Sequence, residues 1–416
     1  MEKENNHFEK EDHSHRTSSS FAAYFNIICV VAGTGVLALP ATLGDSGWYG
    51  IVLFAVTAVA SIITSKMLIE CLYYKEGSRL EEYPDVAEAA FGSVARTFTK
   101  VFHYSISLSG ACIYILVSGL NIHTLLQDYA PSWNMHFRYW ILVSGVIVGV
   151  PFVFLKTIRE VTLLGVFGAL TTLISVLCVA IQGSFQYSAA ATSPEYDSVN
   201  WSGLPIALST IAFSYGGNVV FPHVEATMRN PKAWNKTVLY AVISISAMYI
   251  LMGATGYLYY GKQVKAPIFL SMGKNGGATV GLILITAHVL LAAPIYLCSF
   301  AMEQERVLKF DAMAPGKQFL GRLVLRGAIV IGLTLIAMFV PYFKRLMSVF
   351  GAISNSIIIF LVPIFCHYKL FGRQNRSITS HVVSLLIVIL GFFVLFVGSF
   401  VAIKELYDAI VSGETI

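Results

Sequence analysis

Few side chains able to do chemistry lie inside the long apolar runs of this 416-residue chain. His288, within the run 279–303, could take up and release a proton near neutral pH. An ionisable group at such a depth is a functional hypothesis by default, although a neutral histidine bonded to a neighbouring helix would explain it too. His103 is a weaker candidate of the same kind. Glu225 and Glu303 stand near the ends of their runs, where they could close a passage with Arg or Lys partners; ordinary loop pairing is the plainer reading. Lys66 and Glu70, at i and i+4, read as an intrahelical ion pair. None of these groups forms a nucleophile–base pair or a carboxylate dyad. The six cysteines (Cys29, Cys71, Cys112, Cys178, Cys298 and Cys366) show no metal spacing and read as small core residues. Enzymatic chemistry, a metal site and a cofactor are therefore not expected.

What must position these residues is a membrane domain. The chain is 56% hydrophobic and 12% charged, with a mean hydropathy of +0.70, against roughly 25% charged in ordinary soluble proteins. Eleven runs are long enough to span a bilayer at about 20 residues each: 21–43, 47–73, 97–126, 137–155, 159–182, 202–228, 236–260, 279–303, 324–343, 346–368 and 378–403. Residues 75–95 read as a short helix lying in a connecting loop. With the N-terminus inside, the inside segments hold 20 Lys and Arg and the outside segments 7, which sets the N-terminus on the cytosolic side. Residues 1–20 are expected to be a disordered cytosolic tail, and 405–416 a short non-cytosolic one. Among the three Asn-x-Ser/Thr sequences, only Asn200 falls in an outside segment.

Two of the eleven runs are interrupted. The first contains Ala32-Gly33-Thr34-Gly35-Val36-Leu37-Ala38-Leu39-Pro40 and the sixth Phe213-Ser214-Tyr215-Gly216-Gly217-Asn218-Val219-Val220-Phe221-Pro222. Paired glycines are poor helix formers, and a broken helix frees backbone groups that lipid cannot satisfy. Such a break survives only where it is buried in protein or lines a polar cavity. Glycine-mediated helix packing would explain one break alone. Two matched breaks, five spans apart and opposite in direction, instead mark an inverted repeat: 21–182 and 202–368, with 378–403 as an added helix of a membrane domain covering 21–404. In transporters built this way the site lies at the midplane between the two broken helices.

At these residues the chain resembles the amino acid/auxin permease family, within the amino acid–polyamine–organocation superfamily and its LeuT-type fold. The matching pieces are Phe25-Asn26 with Gly33-x-Gly35-x-Leu37-x-Leu39-Pro40, then Tyr83-x-Asp85-x-Ala87-x-x-Ala90-Phe91-Gly92. The third is Phe213-Ser214-Tyr215-Gly216-Gly217 with Pro222-x-x-Glu225-x-x-Met228-x-Asn230-Pro231. The resemblance covers roughly residues 20–405. It implies an all-α polytopic protein with eleven spans and a 5+5 inverted repeat, and secondary transport of amino acids, commonly proton-driven. Its vacuolar and vesicular branches look most similar; a vacuolar, other endomembrane or plasma-membrane location would fit. The sodium-coupled branch carries an Asn four residues before the first glycine, where this chain has Cys29. A thiol suits a hard cation poorly, and Ala292 and Ala293 offer no hydroxyl nearby, so proton coupling is favoured.

The expected ligands are a free amino acid and a proton, handled by a monomer in the bilayer with no role for nucleic acid. The half-helix beginning near Val36 would present N–H groups and a positive dipole end to the carboxylate. Carbonyls freed near Ala32, Phe213 and Ser214 would suit the ammonium group. Gly33, Gly35, Gly216 and Gly217 would let backbone approach the ligand, Thr34, Tyr215 and Asn218 would add polar groups, and Tyr114 would cap the pocket. His288 is the candidate for proton coupling, and Glu225 and Glu303 for gates. No carboxylate stands at either break, which favours neutral substrates. The alternatives are an amino-acid sensor without net transport and a sodium-coupled transporter.

Overall fold

Backbone groups inside a membrane must satisfy one another, and helices do so within one segment. The computed structural model describes residues 16–413 apart from 76–77, 134, 155–160, 190–192 and 374–376. Among these residues ten helical segments are long and apolar enough to cross a membrane. An eleventh span is a bent pair, Ser20–Val31 and Gly35–Ser46, meeting at 53°. Spans 2 to 5 are Gly50–Leu72, Ser93–Tyr129, Phe137–Phe154 and Val161–Ala189. Span 6 is Leu204–Ser214, a single turn at Gly217–Val219, and Phe221–Thr227. Spans 7 to 9 are Trp234–Tyr260, Gly276–Val307 and Pro315–Phe339. Span 10 covers Phe343–Phe371 and span 11 Ile378–Ser412.

Local chemistry sets several of these boundaries. The hydroxyls of Ser19 and Ser377 and the amide oxygen of Asn275 accept from backbone N–H groups in the first turns of spans 1, 11 and 8, as N-caps do. The expected loop helix is Tyr83–Phe91, opened by a reciprocal capping pair of Glu82 and Asp85. Span 10 departs from expectation: it is wound as a π-helix over Gly351–Leu361, which nothing in its apolar run signals.

Two boundaries differ from the sequence reading. Span 11 continues to Ser412, through most of the segment expected to be a tail. Of the expected N-terminal tail, residues 1–15 lie outside the described residues, and the stretch from Arg16 on is held against the rest of the chain. Ser18 donates its N–H to Thr227 O (2.8 Å) and accepts from Arg229 N (2.8 Å), joining the chain start to the inner end of span 6. Lys66 and Glu70 do not pair as expected either. Glu70 instead meets His367 Nε2 at 2.8 Å, across to span 10.

Span 8 packs along spans 3 and 5, and the inner half of span 1 also packs along span 5. The outer half of span 1 lies against span 7 and the outer half of span 6. At the inner side, spans 4, 8 and 9 are clamped by one buried group. Arg326 donates Nε to Glu305 Oε1 (2.7 Å) and Nη1 to Phe152 O (2.7 Å), and Arg322 takes the other Glu305 oxygen (2.9 Å). Both carboxylate oxygens are thereby satisfied, the condition for an ion pair to be tolerated out of water.

Candidate functional site

Helix geometry fails at the break of span 1 after Val31, where Ala32 leaves the helical region. The second half restarts at Gly35. First-turn amides have no partner one turn back, so the restart turns N–H groups toward the break. In span 6, Tyr215 and Gly216 separate the outer half from the single turn at Gly217. The two breaks touch: a Cβ on Gly35 would lie 2.8 Å from Ser214 Cβ, and one on Gly217 2.3 Å from Val31 Cγ2. Only glycine permits this approach.

A cavity of about 20 Å³ sits where the breaks meet, room for little more than one water molecule, so the site is contracted in this structure and must widen to admit a larger ligand. Span 1 contributes Val30, Val31, Thr34 and Gly35, and span 6 Phe213, Ser214 and Gly216. Ile106, Gly110 and Tyr114 come from span 3, Tyr296 from span 8 and Asn355 from span 10. No lining side chain carries a formal charge. The rings of Tyr114 and Tyr296 meet edge to face, 5.4 Å between centroids, and form one wall.

Of the twelve residues singled out at and across from the breaks, Thr34, Gly35, Tyr114, Phe213, Ser214 and Gly216 line this cavity. Ala32, Gly33, Val36, Tyr215, Gly217 and Asn218 do not. Gly33 instead gives room to the Tyr114 hydroxyl, which would lie 1.9 Å from a Cβ there. Tyr215 turns away to Ser246 (2.9 Å), and Asn218 Nδ2 reaches Thr64 Oγ1 at 3.5 Å. Asn355 and Tyr296 were not anticipated. An amide or phenol within an apolar run was the available signal, because polar groups there need partners.

The carbonyls expected to stand free are capped by side chains. Tyr296 Oη donates to Val30 O (2.8 Å), and Tyr249 Oη lies 2.8 Å from Val31 O and 2.6 Å from Ser214 O. Thr172 Oγ1 donates to Ala32 O (3.0 Å), and Asn355 Nδ2 to Ala212 O (3.2 Å) and Phe213 O (3.3 Å). The reason is the low dielectric around them: a carbonyl without a partner in hydrocarbon costs several kcal/mol, on the order of 2–7.

His288 lies behind the span 1 break, 1% exposed. Its Nδ1 is 2.8 Å from Gly168 O and 3.0 Å from Thr172 Oγ1, and its Nε2 is 3.9 Å from Cys29 Sγ. With Nδ1–H donated to Gly168 O, Nε2 is left as the basic nitrogen facing the thiol. Since Thr172 also binds Ala32 O, the imidazole connects through one hydroxyl to the break itself. His103, also buried, sits lower, beside Tyr83 and Tyr104.

Glu225 is fully buried at the inner end of span 6. Its carboxylate accepts from Tyr73 Oη (2.5 Å) and Arg79 Nε (2.9 Å), with Arg16 Nη1 at 3.6 Å. Arg79 also donates to Pro222 O (2.6 Å). Glu303 pairs with Lys100 of span 3 (2.6 Å) and with Arg306 (3.2 Å). Nearby, Glu82 in the inside loop is held above the usual carboxylate range, by burial first and then by the charges of Glu303 and Asp85. On the outer side Lys344 Nζ meets Asp45 Oδ2 at 2.5 Å.

The family model for transmembrane amino acid transporter proteins matches residues 16–404. Among curated proteins the chain is 23% identical to amino acid transporter AVT1I of Arabidopsis thaliana, over 99% of this chain and 100% of that protein. It is 27% identical to a vesicular inhibitory amino acid transporter of Xenopus tropicalis, over 86% and 71%. Two solved structures share the fold. Mhp1, a nucleobase-cation-symport-1 family transporter with bromovinylhydantoin bound, aligns with a TM-score of 0.60 at 11% identity, covering 95% of this chain and 94% of that one. A Na+-coupled sialic acid symporter aligns at 0.56 and 13%, covering 94% and 90%.

Proposed function

Because the chain belongs to the transmembrane amino acid transporter family, we propose that it moves neutral amino acids by alternating access around the central cavity, with protons as the coupling ion. The observation that carries the coupling is the group behind the break. A hard cation there would need free oxygen ligands, whereas the Cys29 thiol offers none and the nearby Thr172 hydroxyl and Gly168 carbonyl are already engaged with Ala32 O and the His288 imidazole. Protonation of His288 would fall on Nε2, toward Cys29 on the inner half of span 1, and would strengthen the donation of Nδ1–H to Gly168 O beside Thr172. Proton occupancy would then bias the geometry of the break, which is what coupling requires.

Neutral substrates follow from the uncharged lining of the cavity. The carboxylate would lie on the first amides of the Gly35 half-helix, with Tyr114 and Tyr296 limiting side-chain size. Glu225 and Glu303 would serve as parts of the inner gate, since their cationic partners come from other elements. The vesicular relative supports an endomembrane location.

The test is uptake of labelled neutral amino acids into sodium-free proteoliposomes under an imposed pH gradient. Accumulation that a protonophore abolishes is expected. Uptake that ignores the pH gradient and follows a sodium gradient would overturn the coupling.

A further inference from the structure

An amino acid brings two charged ends, and the breaks offer them unequal partners. Donors for the carboxylate are supplied by helix restarts, but acceptors for the ammonium are scarce. The carbonyls of Val30, Ala32 and Phe213 each accept from a side chain, and those of Val31 and Ser214 share the single hydroxyl proton of Tyr249. Two acceptors among the lining residues have no partner: Asn355 Oδ1 and Thr34 Oγ1. Both side chains are 1% exposed and both line the cavity. A buried polar atom in that condition calls for an explanation.

Asn355 is held so that its oxygen cannot turn back. Its Nδ2 is committed to the carbonyls of Ala212 and Phe213, and carbonyls accept only donors, which fixes the amide orientation. The fold makes room for this arrangement. A Cβ on Gly216 would stand 2.5 Å from Asn355 Nδ2, and one on Gly351, a turn before Asn355, 1.9 Å from Ser209 O. Span 10 reaches the break through the π-helical stretch, a distortion frequently found at functional sites.

We propose that Asn355 Oδ1, together with Thr34 Oγ1, receives the α-ammonium group of the substrate, while the capped carbonyls of spans 1 and 6 serve as a fixed frame around it. This rests on reading the central cavity as the transport site. The ligand class that follows is a primary ammonium beside a carboxylate, with an uncharged side chain. The 2-hydroxy acid of the same side chain keeps the carboxylate but loses two of the donors and the positive charge.

The experiment compares inhibition of labelled amino acid uptake in proteoliposomes by an unlabelled amino acid and by its 2-hydroxy acid analogue. In the wild type the hydroxy acid is expected to be about 100-fold weaker, because a site built for a polar group rejects the analogue lacking it. Asn355→Leu removes the acceptor at similar volume, so amino acid affinity is expected to fall about 10-fold or more while hydroxy acid affinity holds. The ratio then collapses. Thr34→Val should reduce the ratio in part and Thr34→Ser restore it; these two carry the test should Asn355→Leu fail to fold. A variant that weakens both inhibitors equally and preserves the ratio would show a merely structural role and overturn the proposal. A wild-type chain that takes up no amino acid would overturn the transport reading with it, before any variant is made.

Discussion

His288 draws its significance from polar neighbours on two spans, among them Gly168 O and Thr172 Oγ1 of span 5 and Cys29 Sγ of span 1. If the imidazole carries the coupling proton, His288→Gln keeps a donor near Gly168 O but cannot titrate. The expected result is that substrate exchange across proteoliposomes persists within about 10-fold of the wild type, while the rise in uptake with acidification is lost. A packing role alone would lower both rates together and leave the shape of the pH profile intact. His288 was legible in the sequence as a titratable group inside an apolar run. Asn355 left a fainter mark, one amide in an apolar run, because an amide carries no charge to stand out. The capping of the carbonyls was hidden: Tyr249, Tyr296 and Thr172 lie far from the breaks in sequence, and only packing brings them there.

Among the elements, span 10 is where sequence and structure part most. All eleven spans could be read because hydrocarbon demands about 20 apolar residues per crossing, and the two breaks because glycine pairs interrupt otherwise good helices. The π-helix at Gly351–Leu361 has no comparable mark; its register follows from contact with span 6. Gly351 is the contact point, since a Cβ there would sit 1.9 Å from Ser209 O and 3.0 Å from Phe213 Cβ. Backbone cannot yield as a side-chain tip does. Gly351→Ala is therefore expected to push span 10 off span 6 at a cost of about 1–3 kcal/mol. A lower melting temperature in detergent and weaker substrate affinity would be measured together. Gly316→Ala is the comparison, because a Cβ there meets nothing within 4 Å; if both variants melt alike, the contact does not hold span 10 in place.

For the whole molecule, the central cavity shares no lining residue with the outer recess around Asp45 and Lys344 or with the inner cleft around Arg16 and Lys66. Closure on the two sides is built unequally. The inner cluster holds a carboxylate with no exposure between Arg79, Arg16 and Tyr73, and beside it Arg16 and Ser18 are tied to the inner end of span 6. The outer pair of Lys344 and Asp45 is about a quarter exposed on each side chain. Removing the charge of a fully buried pair costs about 3–5 kcal/mol; the outer pair is partly open to solvent, though the paired Asp45 oxygen is buried, so its loss costs less. In an alternating-access cycle such losses move populations: about 3 kcal/mol taken from the inner closure favours the inward-open state on the order of a hundredfold. Glu225→Gln should accordingly raise amide hydrogen exchange in the inner half-helices, Ser20–Val31 and Phe221–Thr227, and leave the outer halves Gly35–Ser46 and Leu204–Ser214 near the wild-type rate. Asp45→Asn should do the reverse, and more weakly. Faster exchange in all four segments after either substitution would mean general loosening, and the two charge clusters would then be fasteners of the fold with no part in choosing which side opens.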